Sequence, residues 1–197
     1  MRALLWAVTL LRIALIPVFL TLAMQAQAIA RAGQDPDRTQ WAVIAVLATI
    51  GISDILDGWI ARRFGLATQL GAIVDAVADK MVQVTLVAFF ALSRGPAYAP
   101  LPLWFLAMLI GRDLVLGGGL AFARSRDVPI RIVHRPHGRV TSLVVFGVLA
   151  WISFGFPEAA LPFVLVAAAL FVVVSGGTYL KDGIDQAREV LRGRSGG

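Results

Sequence analysis

The chain has 197 residues, of which 58% are hydrophobic and 15% charged, and its formal net charge is +6. With a mean hydropathy of +0.80, this composition excludes an ordinary soluble domain and predicts an integral membrane protein. A chain of this length holds about six spans of about 20 residues each, and the lack of cysteine excludes disulfides, thiolate metal sites and cysteine nucleophiles.

Six apolar windows follow one another along the chain. They cover residues 3–24, 41–60, 70–92, 101–122, 140–156 and 161–180, and their lengths are typical of membrane-spanning helices. The first window lacks a convincing signal-peptide cleavage site, so we interpret it as the first span. The predicted fold class is an all-α integral membrane protein, a bundle of six transmembrane helices. It forms a single domain over 1–197, with a basic tail at about 181–197.

Basic residues are distributed unevenly between the two sets of connecting segments. Glycine and proline mark the segments 32–39, 94–102 and 154–162, and only three arginines lie in or beside them. The other set and the tail carry Arg62, Arg63, Arg124, Arg126, Arg131, Arg135, Arg139, Lys181, Arg188, Arg192 and Arg194. This bias predicts that both termini are cytoplasmic and that the protein lies in the inner membrane. Because the basic residues flank spans, they indicate affinity for anionic lipid and not for nucleic acid.

Four aspartates, Asp54, Asp57, Asp75 and Asp79, lie in or beside the second and third windows. A carboxylate in hydrocarbon costs roughly 2.5 kcal/mol or more, so four of them predict a bound metal, protons or strong ionic partners. The spacings i, i+3 and i, i+4 place each pair on one helical face. If the two helices are neighbours, the pairs form a cage of carboxylate oxygens that suits magnesium or manganese better than zinc or copper.

The residues between the two aspartate pairs suggest a phosphate-bearing ligand. Gly58, Ala61 and Gly71 allow close backbone approach, and Arg62 supplies a fixed cation. One alternative is a proton relay or a structural set of ion pairs with Arg62, Arg63 and Lys80. Another is a small ion-coupled transporter, but the aspartates cluster near a basic interface and the chain shows no internal repeat, which argues against it.

The stretch from Asp54 to Asp79 resembles the signature of the CDP-alcohol phosphotransferase family. It reads Asp54-x2-Asp57-Gly58-x2-Ala61-Arg62-x8-Gly71-x3-Asp75-x3-Asp79. The resemblance implies a six-helix membrane enzyme that transfers a substituted phosphoryl group from a CDP-alcohol, usually CDP-diacylglycerol, to an acceptor hydroxyl and releases CMP. It also implies two divalent metal ions and a homodimer.

The resemblance further implies a role for each residue of the signature. Asp54, Asp57, Asp75 and Asp79 would bind the metal ions, and Asp79 would also be the general base on the acceptor hydroxyl. The CDP part would be held by Asp54, Gly58, Ala61, Arg62 and Gly71.

Residues outside the signature resemble the branch that makes phosphatidylglycerophosphate or cardiolipin. The segments 10–17 and 78–80 carry this likeness, and Arg112-Asp113 slightly favours phosphatidylglycerol as the acceptor, with glycerol-3-phosphate as the alternative. Ala76 replaces a proline often found in the family, and Arg139 replaces a lysine. Both departures bear on the acceptor and not on the chemistry.

The acceptors of this branch both carry a phosphate, for which Arg112, Arg124 and Arg139 are candidate ligands. Arg112 and Asp113 have an alternative role as a buried ion pair that fixes the fourth helix. Arg124 has an alternative role as an interfacial anchor. Arg12, within the first span, either snorkels to the interface or faces a partner or pocket.

Overall fold

In the residues that it describes, a computed structural model shows six α-helices and one short 3-10 helix. The elements are α1 (Arg2–Arg31), α2 (Asp37–Arg63), α3 (Gln69–Leu92), α4 (Leu103–Ser125), α5 (His137–Ser153), the 3-10 helix Glu158–Ala160, and α6 (Leu161–Ser195). The structure describes residues 2–63, 69–125 and 137–195. Within them it leaves undescribed the side chains of 2–8, 54, 55, 57–63, 69–76, 120, 124, 137–139 and 187–195. No strand occurs in these three ranges, so the predicted all-α class is confirmed for them.

Each predicted apolar window corresponds to one of the six helices. Within the described residues, three stretches are long and apolar enough to cross a membrane: Thr9–Arg31, Leu103–Ala123 and Glu158–Gln186. A fourth helix, Val140–Ser153, is apolar but shorter. The prediction of six helices is therefore confirmed, whereas a membrane crossing by all six stays a prediction.

The helices pack around a core to which all six contribute. Helix α1 packs against α2 and α3, α5 packs against α2, α3 and α6, and α4 packs against α3 and α6. Fully buried core side chains include Phe19, Ile50, Leu86, Phe105, Val145 and Val172. Because lipid tails are as apolar as these side chains, close van der Waals packing holds such helices together in a membrane.

Three connecting segments meet at one end of the bundle. The Arg31 guanidinium donates to the carbonyl of Arg94 at 2.5 Å, and the Gln40 amide donates to the carbonyl of Ala97 at 3.1 Å. The rings of Trp41 and Phe154 lie 6.0 Å apart, which joins the start of α2 to the end of α5. The last turns of α2 and the first turns of α3 therefore lie at the opposite end.

An aromatic cluster supports the end of the bundle at which these segments meet. The Tyr98 ring lies 5.3 Å from that of Phe90, and the Phe19 ring lies 5.5 Å from that of Phe89. Burial raises the pKa of Tyr98 to about 12, so its hydroxyl stays neutral at physiological pH and adds no charge to the cluster.

Glycines in a left-handed conformation end α1 and α5. Gly33 has φ 72° and Gly155 has φ 66°. At the end of α5, the Phe156 N–H donates to the carbonyl of Trp151 at 3.2 Å and the Gly155 N–H to that of Ile152 at 3.1 Å. The Trp151 and Phe156 rings then pack at 4.9 Å. This pair of bonds with its apolar contact is the Schellman motif, and the same two bonds end α1.

Candidate active site

Both aspartate pairs lie at the end of the bundle away from the three connecting segments described above. Asp54 and Asp57 lie within about three turns of the end of α2, and Asp75 and Asp79 within about three turns of the start of α3. Helix α1 packs against both of these helices. The described part of the site is the side chain of Asp79 and its surroundings.

For the other residues of the signature, the structure describes the helical backbone but not the side chains. These residues are Asp54, Asp57, Gly58, Ala61 and Arg62 in α2, and Gly71 and Asp75 in α3. The same holds for Arg124 in the last turn of α4 and Arg139 in the first turn of α5.

The carboxylate of Asp79 forms an ion pair with Arg12 of α1. The Arg12 side chain is only 2% exposed. Of the two alternatives for Arg12, snorkelling to the interface or facing a partner or pocket, the contact therefore supports the second. A buried guanidinium is tolerated only when its charge is compensated. The pair therefore ties α1 to α3 at the level of the predicted site and fixes the position of the Asp79 carboxylate.

Asp79 also remains accessible, because 34% of its side chain is exposed. The contact with Arg12 engages the oxygen Oδ1. A carboxylate has two oxygens and about four lone-pair sites, so Asp79 retains capacity to accept a proton or to bind a cation. This combination of a fixed position and an open side is what a general base requires.

A second ionic cluster, Lys80–Asp113–Arg112, lies between α3 and α4. The Lys80 ammonium lies 2.9 Å from Oδ2 of Asp113 and donates to Oε1 of Gln83 at 3.1 Å. Nη1 of Arg112 lies 3.6 Å from Oδ1 of Asp113. The sequence suggested Lys80 only as a partner of the signature aspartates, in the alternative of a structural set of ion pairs, and did not indicate its contact with Asp113. Consecutive helical residues point about 100° apart, so Lys80 contacts α4, whereas Asp79 contacts α1.

Arg112 is held from the other side by α6. Its side chain is 11% exposed, and Nε has no hydrogen-bond partner within the described residues. A methyl group on Gly176 would lie 3.3 Å from Cγ of Arg112 and 3.4 Å from Nε. Glycine at this position thus lets the arginine stem lie directly on the backbone of α6, which the sequence did not indicate.

The donor set of the signature fits a divalent metal. No group of three or more metal-binding side chains occurs among those that the structure describes, which include one of the four aspartates. Four carboxylates supplied by two helices at one end of the bundle are hard oxygen ligands. Such ligands suit magnesium or manganese, whereas the softer metals prefer imidazole or thiolate.

The structure is thus a bundle of apolar helices, three of them long enough to cross a membrane, with the aspartates at one end. The chain matches the sequence model of the CDP-alcohol phosphatidyltransferase family over residues 6–176. That match covers most of the chain, including the whole aspartate signature, the Arg12–Asp79 pair and the Lys80–Asp113–Arg112 cluster. The protein therefore belongs to the CDP-alcohol phosphatidyltransferase family.

Curated relatives carry the names of two enzymes. A Mycobacterium tuberculosis protein provisionally named a cardiolipin synthase is 34% identical over 120 residues, 61% of this chain and 50% of that protein. Another from the same organism, provisionally named a phosphatidylglycerophosphate synthase, is 29% identical over 176 residues, 87% of this chain and 77% of that protein. A CMP-forming cardiolipin synthase of Streptomyces coelicolor is 34% identical over 106 residues, 53% of this chain and 44% of that protein. In the first match, the chain spans about half the relative's length.

Proposed function

We propose that the protein transfers a phosphatidyl group from CDP-diacylglycerol to the hydroxyl of a glycerol-type acceptor and releases CMP. The observation that carries this proposal is the complete aspartate signature between Asp54 and Asp79, in a chain that belongs to the phosphatidyltransferase family. The ion pair between Asp79 and Arg12 supports it, because the last carboxylate of the signature is held in place with part of its surface open.

The reaction joins the acceptor oxygen to the phosphatidyl phosphorus and breaks the bond between that phosphorus and the oxygen of CMP. Asp79 takes the proton of the acceptor hydroxyl as general base, since its carboxylate is both fixed and partly exposed. Arg12 positions that carboxylate from α1. Asp54, Gly58, Ala61, Arg62 and Gly71 hold the CDP part, the glycines and alanine by close backbone approach and Arg62 by charge.

Asp54, Asp57, Asp75 and Asp79 are the proposed ligands of two divalent ions. When bound, such ions neutralise charge on the diphosphate and on the departing CMP. Magnesium and manganese are the two candidates, because the donor set consists of carboxylate oxygens.

Arg112, Arg124 and Arg139 are the proposed ligands of the acceptor phosphate. Arg112 supports this role best, because its side chain is nearly buried and its Nη1 lies 3.6 Å from Asp113, beyond hydrogen-bond range. We favour phosphatidylglycerol slightly as the acceptor, on the Arg112-Asp113 sequence, which makes the product cardiolipin. Glycerol-3-phosphate, which gives phosphatidylglycerophosphate, is the alternative, and the names of the relatives include both enzymes.

The proposed setting of this activity is the inner membrane, with the active site and both termini on the cytoplasmic side. The charge bias of the sequence supports this orientation, as does the position of the aspartates at the end of the bundle away from the three sparsely basic segments. We also propose that all six helices span the bilayer and that the protein is a homodimer.

The proposal is tested with purified protein, CDP-diacylglycerol and magnesium. Each of the two acceptors is supplied in a separate reaction. We expect CMP release, and a lipid product whose mass identifies cardiolipin when phosphatidylglycerol is present. Product with glycerol-3-phosphate alone would instead identify a phosphatidylglycerophosphate synthase. If no CMP is released with either acceptor, the proposed reaction is contradicted.

A further inference from the structure

We infer that Lys80 is a positioning residue that keeps Arg112 available to the acceptor phosphate by compensating the charge of Asp113. The inference rests on the proposed function, in which Arg112 contacts the phosphate of the acceptor. It assigns a role to a residue outside the aspartate signature and outside the three candidate arginines.

The charges of the Lys80–Asp113–Arg112 cluster do not cancel. Lys80 and Arg112 are cations and Asp113 is an anion, so the cluster carries one net positive charge. Without Lys80, the neighbouring Asp113 would neutralise Arg112, and an approaching phosphate would meet a pair with no net charge. Lys80 therefore leaves the cluster attractive to an anion.

The distances show which cation Asp113 engages. Its Oδ2 lies 2.9 Å from the Lys80 ammonium, within hydrogen-bond range, whereas Nη1 of Arg112 lies 3.6 Å from its Oδ1, beyond that range. Nε of Arg112 has no hydrogen-bond partner within the described residues. The guanidinium is thus oriented by Asp113, while its Nη1 makes no hydrogen bond to that carboxylate.

Helix α6 limits the movement of Arg112. The close approach of its stem to Gly176 places the backbone of α6 against Cγ and Nε, and only 11% of the side chain is exposed. The guanidinium therefore has few alternative positions in which to reach an anion. Its availability depends on which partner Asp113 takes.

A solely structural ion pair between α3 and α4 makes different predictions. If Lys80 and Asp113 only hold two helices together, replacing either one should lower stability and turnover without a selective effect on the acceptor. If Lys80 protects Arg112, replacing Lys80 should weaken acceptor binding, replacing Asp113 should not weaken it, and combining the two replacements should restore it.

The test is acceptor kinetics of full-length Lys80→Met, Asp113→Asn and the double variant, with glycerol-3-phosphate and phosphatidylglycerol as separate arms. For whichever acceptor the enzyme uses, we expect Lys80→Met to raise the KM about tenfold, with a smaller change in kcat. A change of this size is the effect of weakening a charge-assisted contact. Asp113→Asn should leave that KM unchanged or lower it, and the double variant should return it to within about threefold of the parent. Arg38→Met, which removes an exposed cation at the start of α2, at the opposite end of the bundle, is the control.

A binding measurement without turnover separates failure of this inference from failure of the proposed function. Glycerol-3-phosphate and phosphatidylglycerol are each titrated against the thermal unfolding of the parent, Lys80→Met and Arg112→Gln proteins, without CDP-diacylglycerol. Stabilisation that weakens in both variants supports the inference even if no CMP is released. Stabilisation that Arg112→Gln weakens and Lys80→Met does not would overturn it, as would an unchanged acceptor KM in Lys80→Met or the lack of rescue in the double variant.

Discussion

At the scale of single residues, two arginines with little exposure each lie beside a carboxylate of the site. Arg12 reaches Asp79 from α1, and Arg112 lies beside Asp113 in α4. In both cases a nearly buried guanidinium is placed next to a carboxylate that remains partly exposed. Charges at such depth are retained only with partners, so their arrangement marks the region in which an ionic substrate can bind.

Replacing Asp79 with asparagine removes the proposed base and keeps the shape of the side chain. We expect CMP release to fall by about 100-fold or more, the contribution typical of a positioned general base. The amide oxygen can still accept a hydrogen bond from Arg12, so the protein should still fold, but it no longer compensates the charge of the buried guanidinium and should unfold at a lower temperature; gel filtration and thermal unfolding measure both. Asp185→Asn, at an exposed position of α6, is the control that should keep full activity. Full turnover in Asp79→Asn would refute the base.

At the scale of the helices, one glycine within α5 and one just after its end differ in backbone conformation. Gly155 ends the helix with φ 66°, a conformation that costs other residues roughly 1–2 kcal/mol. Gly147 lies within the helix, and a methyl group there would have no neighbour within 4 Å. The same substitution should therefore act in opposite directions at the two positions.

We expect Gly155→Ala to lower the free energy of unfolding by about 1 kcal/mol or more. Gly147→Ala should leave it unchanged or raise it by roughly 0.5–1 kcal/mol, because glycine is a poor helix former. Reversible unfolding in detergent, followed by circular dichroism, measures both values. Equal changes in the two variants would contradict the Schellman motif as the end of α5.

Much of the helical architecture could be predicted from the apolar windows. The windows 70–92 and 101–122 nearly reproduce α3 and α4, whereas α1 continues beyond its window to Arg31 and α6 continues to Ser195. Hydropathy reports which residues can lie in hydrocarbon. Beyond the hydrocarbon, a helix can continue into polar residues with the same backbone hydrogen bonds. Hydropathy therefore does not predict such extensions.

The candidate site could be predicted less completely. Spacing alone grouped the aspartates and placed them near the end of α2 and the start of α3, where the structure has them. The contacts Arg12–Asp79 and Lys80–Asp113 join residues far apart in sequence. They depend on which helices are neighbours and on how each is rotated, and hydrophobic periodicity is a weak guide to rotation when most faces are apolar.

At the scale of the whole molecule, the two ends of the bundle have different roles. One end is closed by short connections, backbone hydrogen bonds and packed aromatic rings. The other holds the aspartates, the turns that carry Arg62 and Arg63, and the neighbouring turns of α4 and α5. We propose that the first end supports the fold and that the second meets the nucleotide and acceptor at the cytoplasmic face.

The measurement that tests the central proposal most directly is the coupling of CMP release to lipid product in the presence and absence of divalent metal. Purified protein receives CDP-diacylglycerol and phosphatidylglycerol, and CMP and cardiolipin are quantified before chelation, after it, and after magnesium or manganese is restored. We expect equal amounts of the two products, loss of both on chelation, and recovery of both with either ion. CMP release that continues unchanged in the chelator, or that occurs without a matching lipid product from either acceptor, would contradict the proposal.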